Sequence, residues 1–117
     1  MGVKEEIIDG LRGWAAKLDD EKMKQRFADF NKTIRFDFKD DEEFHVLMVF
    51  EDDGSGAKCT VREGAVDEPD IVITAATETL LAILKGELSP TRSFMSGKLK
   101  AKGNMRDMLK VQMIMKK

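Results

Sequence analysis

Between residues 34 and 74 the apolar side chains recur at every second position, and a chain with that pattern has to build a sheet with one buried face. Ile34, Phe36 and Phe38 alternate with Arg35, Asp37 and Lys39. Phe44, Val46, Met48 and Phe50 repeat the alternation, with His45, Leu47 and Val49 between them. An acidic turn over residues 40–43 separates these two runs. A second turn, Glu51-Asp52-Asp53-Gly54-Ser55-Gly56, separates the second from a third strand over residues 57–63. This spacing predicts a three-stranded antiparallel meander. After Gly64 and Pro69, Ile71-Val72-Ile73-Thr74 predicts a fourth strand.

On both sides of the sheet region the period changes from two to between three and four. Val3, Ile7, Leu11, Trp14, Ala15 and Leu18 form one face of an amphipathic helix over residues 3–18. Gly10 and Gly13 lower its intrinsic propensity by up to ~1 kcal/mol each, so tertiary contacts must hold it. Asp19-Asp20-Glu21 suits the start of a second helix with Met23, Phe27 and Phe30 on its apolar face. Downstream, Thr77 is the expected cap of a helix carrying Leu80, Leu81, Leu84 and Leu88 and ending at Gly86. Ser89-Pro90 places a cap and then proline at the first helical position, opening a short helix through Phe94 and Met95 that Gly97 ends. Residues 98–102, Lys-Leu-Lys-Ala-Lys, read as a short strand with a basic face, and Asn104 caps a final helix bearing Met105, Met108, Leu109 and Met113. With no internal repeat, linker or low-complexity tract, residues 1–117 read as a single α+β domain.

Composition narrows the class. The apolar fraction of 42% is too large and too patterned for a disordered chain, despite 36% charged residues. A single cysteine, Cys59, excludes an internal disulfide framework and suits a reducing compartment. The longest uninterrupted apolar runs, 46–50 and 80–84, fall far short of the ~20 residues a membrane-spanning helix needs. The acidic, helical opening Met1-Gly2-Val3-Lys4-Glu5-Glu6 is not a signal peptide. A soluble cytoplasmic protein is the expectation.

The net charge of −2 hides an asymmetry: residues 85–117 hold nine basic side chains against Glu87 and Asp107, and the acidic surplus lies in residues 1–84. A basic final third can face an anionic membrane or an anionic ligand headgroup, although the same charges also serve solubility. Nucleic acid is not an expected partner, because this third holds one aromatic, Phe94, and no stacking platform.

The inventory of reactive groups is thin. His45 is the one histidine and sits between apolar neighbours in a strand, which favours a structural role. His45 and Cys59 together supply two of the three or four ligands a metal site needs, so no metal is expected. Cys59 reads as a small buried hydrophobe. The acidic turn at 51–56 lacks the alternating ligands and terminal glutamate of a calcium loop. No Walker loop, G-x-G-x-x-G or G-x-S-x-G motif is present, so no cofactor and no catalytic residue are assigned. Eight methionines, four of them (Met105, Met108, Met113 and Met115) in the expected last helix, provide soft apolar surface able to accept varied partners, or else an ordinary core stripe.

The residues that carry a family resemblance are Pro69-Asp70-Ile71-Val72-Ile73-Thr74, Leu80, Leu84, Gly86, Leu88, Pro90 and Phe94, followed by Gly97-Lys98-Leu99-Lys100, Lys102-Gly103-Asn104-Met105, Leu109-Lys110 and Gln112. This set resembles the sterol carrier protein type 2 (SCP-2-like) lipid-binding domain family. The run 96–105 is its most specific part, and the N-terminal region agrees mainly in element order. Glu87 stands where lysine is common in the family. Ala101 stands where isoleucine is usual, leaving more room inside. The ending Met115-Lys116-Lys117 lacks a peroxisomal Ser-Lys-Leu-like tripeptide, which favours a cytoplasmic member and an acyl ligand over a sterol.

The resemblance implies a five-stranded, mostly antiparallel sheet covered on one face by about five helices, with an apolar tunnel between sheet and helices. Candidate tunnel residues are Trp14, Phe27, Phe36, Met48, Leu84, Phe94, Met95, Leu99, Met105, Met108, Leu109 and Met113, some of which must be plain core. Lys98, Lys100, Lys102 and Arg106 are the candidates for contact with a headgroup or membrane. The implied activity is non-covalent binding and transfer of a fatty acid, acyl-CoA or sterol-like lipid. Two other readings are a non-catalytic accessory subunit of a lipid or isoprenoid biosynthetic pathway, with an enzyme as partner, and a small thioesterase-like hydrolase using His45.

Overall fold

The computed structural model describes residues 2–115, so Met1, Lys116 and Lys117, used above in the opening, the charge asymmetry and the chain ending, lie outside the described residues. Helix α1 (Val3–Ala15) runs into a 3-10 turn (Ala16–Asp19) and a short helix α2 (Glu21–Arg26). The meander follows as β1 (Lys32–Phe38), β2 (Asp41–Glu51) and β3 (Lys58–Glu63), then β4 (Ile71–Ala75). The last third is α3 (Thr77–Leu84), α4 (Pro90–Met95), β5 (Leu99–Gly103) and α5 (Met105–Gln112). The sheet order is β3-β2-β1-β4-β5, with the β1–β4 pair parallel and the other three pairs antiparallel.

Strand register explains the alternation in the sequence. Val61, Met48, Ile34, Ile71 and Gly103 lie side by side across the five strands, and Val46, Phe36, Ile73 and Ala101 form the next row. All point to the face on which the helices pack, and the branched and aromatic members are buried. A Cβ on Gly103 would stand 2.8 Å from the Asp70 carbonyl oxygen, so only glycine permits this approach of β5 to β4. The opposite face carries Arg35, Asp37, His45 and a fully buried Leu47. The 64–70 connection crosses that face, pinned where Arg35 Nη1 donates to the Val66 carbonyl at 2.8 Å.

Three local expectations change. The first helix stops at Ala15 and tightens into the 3-10 turn, and β2 begins at Asp41, leaving a shorter turn than the acidic run suggested. Thr77 is not the cap of α3; Ala76 holds that position and has no side chain to offer. The Asp40 carboxylate of the β1–β2 turn caps the helix instead, accepting from Thr77 N at 2.9 Å and Thr77 Oγ1 at 2.6 Å. These bonds hold the Asp40 carboxyl below its ordinary value of 3.8. Asp20, Ser89 and Asn104 cap α2, α4 and α5 with their side chains.

Candidate functional site

The helices do not cover the sheet evenly. Over β1, β2 and β3 the space is filled: Phe27, Phe30 and Phe50 form an aromatic cluster with ring centroids 5.2–5.4 Å apart, and Phe38 stacks on Phe44 at 4.7 Å. Over β4 and β5 a cavity of about 170 Å³ remains. Its sheet side is Ile71, Ile73, Leu99 and Ala101, with Pro90 and Phe94 of α4 along one wall. Met105, Met108, Leu109, Val111 and Gln112 from α5, with Met115 just beyond it, close the cavity.

A second, more open pocket of about 600 Å³ adjoins it and is lined by Ile83, Gly86, Leu88, Ser89, Thr91 and Met113. The two share Pro90, Leu109, Gln112 and Met115 as lining residues. Gln112 is the one polar side chain common to both, placed to hydrogen-bond an oxygen of an otherwise apolar ligand. The open pocket lies within the ~300–1,000 Å³ of ordinary small-molecule sites.

Of the residues expected from the sequence, Phe94, Leu99, Met105, Met108 and Leu109 meet around the cavity, and Met113 lines the adjoining pocket. Trp14, Phe27, Phe36 and Met48 are buried in the filled part of the core and line neither space. Leu84 packs against Gly10, where an added Cβ would fall 2.8 Å from Leu84 Cδ1. Met95 lies 80% exposed on the outside of α4 and also lines neither space. Ile71, Ile73, Pro90, Val111, Gln112 and Met115 line the cavity without having stood out in the sequence as lining, and Ala101, expected to leave room inside, lines it too. The alternation in β4 and β5 was the available signal for the sheet members, since it puts Ile71, Ile73 and Ala101 on the face of Leu99.

The basic residues divide. Lys98 follows α4 and Arg106 lies in the first turn of α5, both exposed and each next in the chain to a cavity-lining residue, Leu99 and Met105. Lys100 and Lys102 alternate with Leu99 and Ala101, so they project from the sheet face turned away from the cavity. His45 lies on that far face too, with Nδ1 2.8 Å from Asp37 Oδ1, and Arg35 binds both oxygens of the same carboxylate. Burial pushes the Cys59 thiol up to about 12, so it stays protonated and unreactive near neutral pH. The Asp52 carboxylate in the 51–56 turn is held by backbone N–H groups of Asp29 and Gly54. Among the described residues, no cluster of three or more His, Cys, Asp or Glu could hold a metal ion. No described helix is long and apolar enough to cross a membrane.

The class that fold and site define is an α+β domain with a mixed five-stranded sheet and an apolar cavity left at one end by its helices. The chain belongs to the SCP-2 sterol transfer family, matched over residues 13–116. It is 43% identical over 49 residues to hydroxysteroid dehydrogenase-like protein 2 of Bos taurus, a segment covering 42% of this chain and 12% of that protein. The chain therefore spans a small part of the curated relatives it matches. Among solved structures, palmitated SCP2L2 from Aedes aegypti superposes with a TM-score of 0.68 at 16% identity, covering 95% of this chain and 92% of that one. UbiJ-SCP2, a ubiquinone synthesis protein, superposes with a TM-score of 0.64 at 16% identity, covering 98% and 93%. At those identities the likeness speaks for the fold alone.

Proposed function

We propose that this chain is a cytoplasmic, non-covalent lipid binder that takes a fatty acid, an acyl-CoA or a sterol-like molecule into the cavity beneath α5 and releases it elsewhere. The observation that carries this reading is the cavity itself, walled by Ile71, Ile73, Phe94, Leu99, Met108 and Leu109 and adjoining a larger open pocket. Burying ~14 methylenes removes roughly 11 kcal/mol of exposure to water, of which ordering and imperfect fit take back several. About micromolar affinity from water follows, while exchange with a bilayer is nearly neutral. Reversible loading needs no covalent step.

Binding in a continuous tunnel requires α5 to shift. Its first turns are loosely covered, with Met105 and Leu109 exposed, whereas Val111, Ile114 and Met115 are buried at its far end. Lys17 Nζ donates to the Ile114 carbonyl at 3.0 Å and anchors the far end, whereas the Lys32–Asp107 pair at 3.4 Å sits in the first turn and must open for that turn to move. The far end therefore acts as a hinge about which the Met105 end swings outward. Lys98 and Arg106 attract the anionic headgroup at that end. Native mass spectrometry of freshly purified protein, followed by organic extraction, tests the reading. A bound lipid mass that Met108→Trp displaces supports it. A protein that is empty and also ignores fluorescent acyl probes overturns it.

The structural likeness to a ubiquinone synthesis protein supports a second reading, a non-catalytic accessory subunit holding a lipid or isoprenoid intermediate for a biosynthetic enzyme. Recovery of one such enzyme in fixed ratio on affinity capture would favour it.

A further inference from the structure

Among the described residues five large apolar side chains stand exposed, and four of them lie on α4 and α5. Phe94 (51% exposed) and Met95 (80%) close α4, and Met105 (67%) and Leu109 (57%) lie on α5; the fifth, Val3, stands apart at the start of α1. Phe94, Met105 and Leu109 also line the cavity, so each has one side inside and one side in water. Around them Arg92, Lys98 and Arg106 are exposed, and among the described residues no carboxylate pairs with any of the three. The acid of α5, Asp107, is engaged with Lys32.

We propose that this α4–α5 face docks on an anionic lipid bilayer. Phe94, Met95, Met105 and Leu109 enter the boundary between headgroups and acyl chains, and Arg92, Lys98 and Arg106 pair with lipid phosphates. The proposal rests on the lipid-binding reading above and adds the surface through which the ligand passes. Charge complementarity and continuity both favour a bilayer as occupant. An apolar phase against this face would be continuous with the cavity, whereas a rigid protein partner would stopper it. Flexible methionine and rim-placed phenylalanine suit a fluid interface, and basic side chains beside apolar ones are the pattern of interfacial binding. The other amphipathic helix does not offer the same surface: α1 spends Ile7, Leu11, Trp14 and Ala15 on the core and carries Glu5 and Glu6 in its first turn.

Co-sedimentation with phosphatidylglycerol–phosphatidylcholine vesicles, against pure phosphatidylcholine vesicles, tests the surface. Met95 lines neither cavity, so Met95→Asp should weaken partition onto anionic vesicles by at least about tenfold while a fluorescent acyl probe in vesicle-free buffer titrates as in the wild type. Arg92→Glu should cost about fivefold or more, and about 0.5 M salt should remove most of the binding. Met95→Trp, which keeps the side chain apolar, should bind at least as well as the wild type. Full vesicle binding by Met95→Asp overturns the proposal, as does equal binding to both vesicle types. So does a dimer in analytical ultracentrifugation that Met95→Asp dissolves while vesicles are ignored, which would assign the patch to a second copy. Anionic-vesicle binding that follows these variants, in a protein that takes up no acyl probe, leaves the docking surface standing and removes the cavity reading instead.

Discussion

The two ends of one sheet carry different residues on the same face and reach opposite results. Over β1–β3, phenylalanine rings interlock and α1 lies close enough to α3 that Gly10 is needed at the crossing. Over β4–β5, the sheet presents small side chains at Ala101 and Gly103, the helices above are only six and eight residues long, and space is left. Rigid packing at one end provides a fixed wall, and loose cover at the other provides access. A protein that must hold an apolar ligand and still release it needs both.

The contrast is broken most strongly in the filled end. Phe50→Ala, which removes a fully buried ring stacked on Phe27 at 5.2 Å, should cost about 3–5 kcal/mol in urea unfolding. Acyl-probe affinity of the folded variant should stay near wild type. The glycines of α1 sharpen the same point. Gly10→Ala pushes a methyl into Leu84 and should destabilise by about 1–3 kcal/mol. Gly13→Ala meets nothing within 4 Å and should stabilise by about 0.5–1 kcal/mol, read by thermal unfolding.

In the hollow end the same kind of change should spare stability and remove binding. Ala101→Ile or Met108→Trp fills the cavity, so probe affinity should fall about tenfold or more with stability altered by less than about 1.5 kcal/mol. If either variant instead unfolds the protein, the space is not free to be filled. The smallest effect belongs to Asp40. Its carboxyl is held below 3.8 in the folded state, so its stabilising cap on α3 is present above that pH and is lost as pH falls through the lowered value. Asp40→Asn should cost less than about 1 kcal/mol near pH 7, with the difference from wild type closing in acid.

Much of this architecture was legible in the residues. Alternation at 34–38 and 44–50 marked the meander, and Ser89-Pro90 and Asn104 marked two helix starts that the structure reproduces with their side-chain caps. The cap on α3 was not legible, because its donor set is satisfied by Asp40, thirty-seven positions away in sequence. The site was legible only in part. Met105, Met108 and Leu109 showed an apolar face, but so did Phe36 and Met48, and an inward-facing residue looks the same in sequence whether a neighbour fills the space opposite or not.

That sets the division between the two sources. Local periodicity, capping chemistry and the glycine and proline positions determined which segments are strand or helix and which face of each turns inward, because those are properties of neighbours along the chain. Tertiary structure alone decided that β4 slots in parallel beside β1 and that Phe94, Met105 and Leu109 converge at the cavity's rim. Whether an apolar face becomes core or cavity depends on the volume supplied by elements far apart in sequence, and no single stretch of residues carries that quantity.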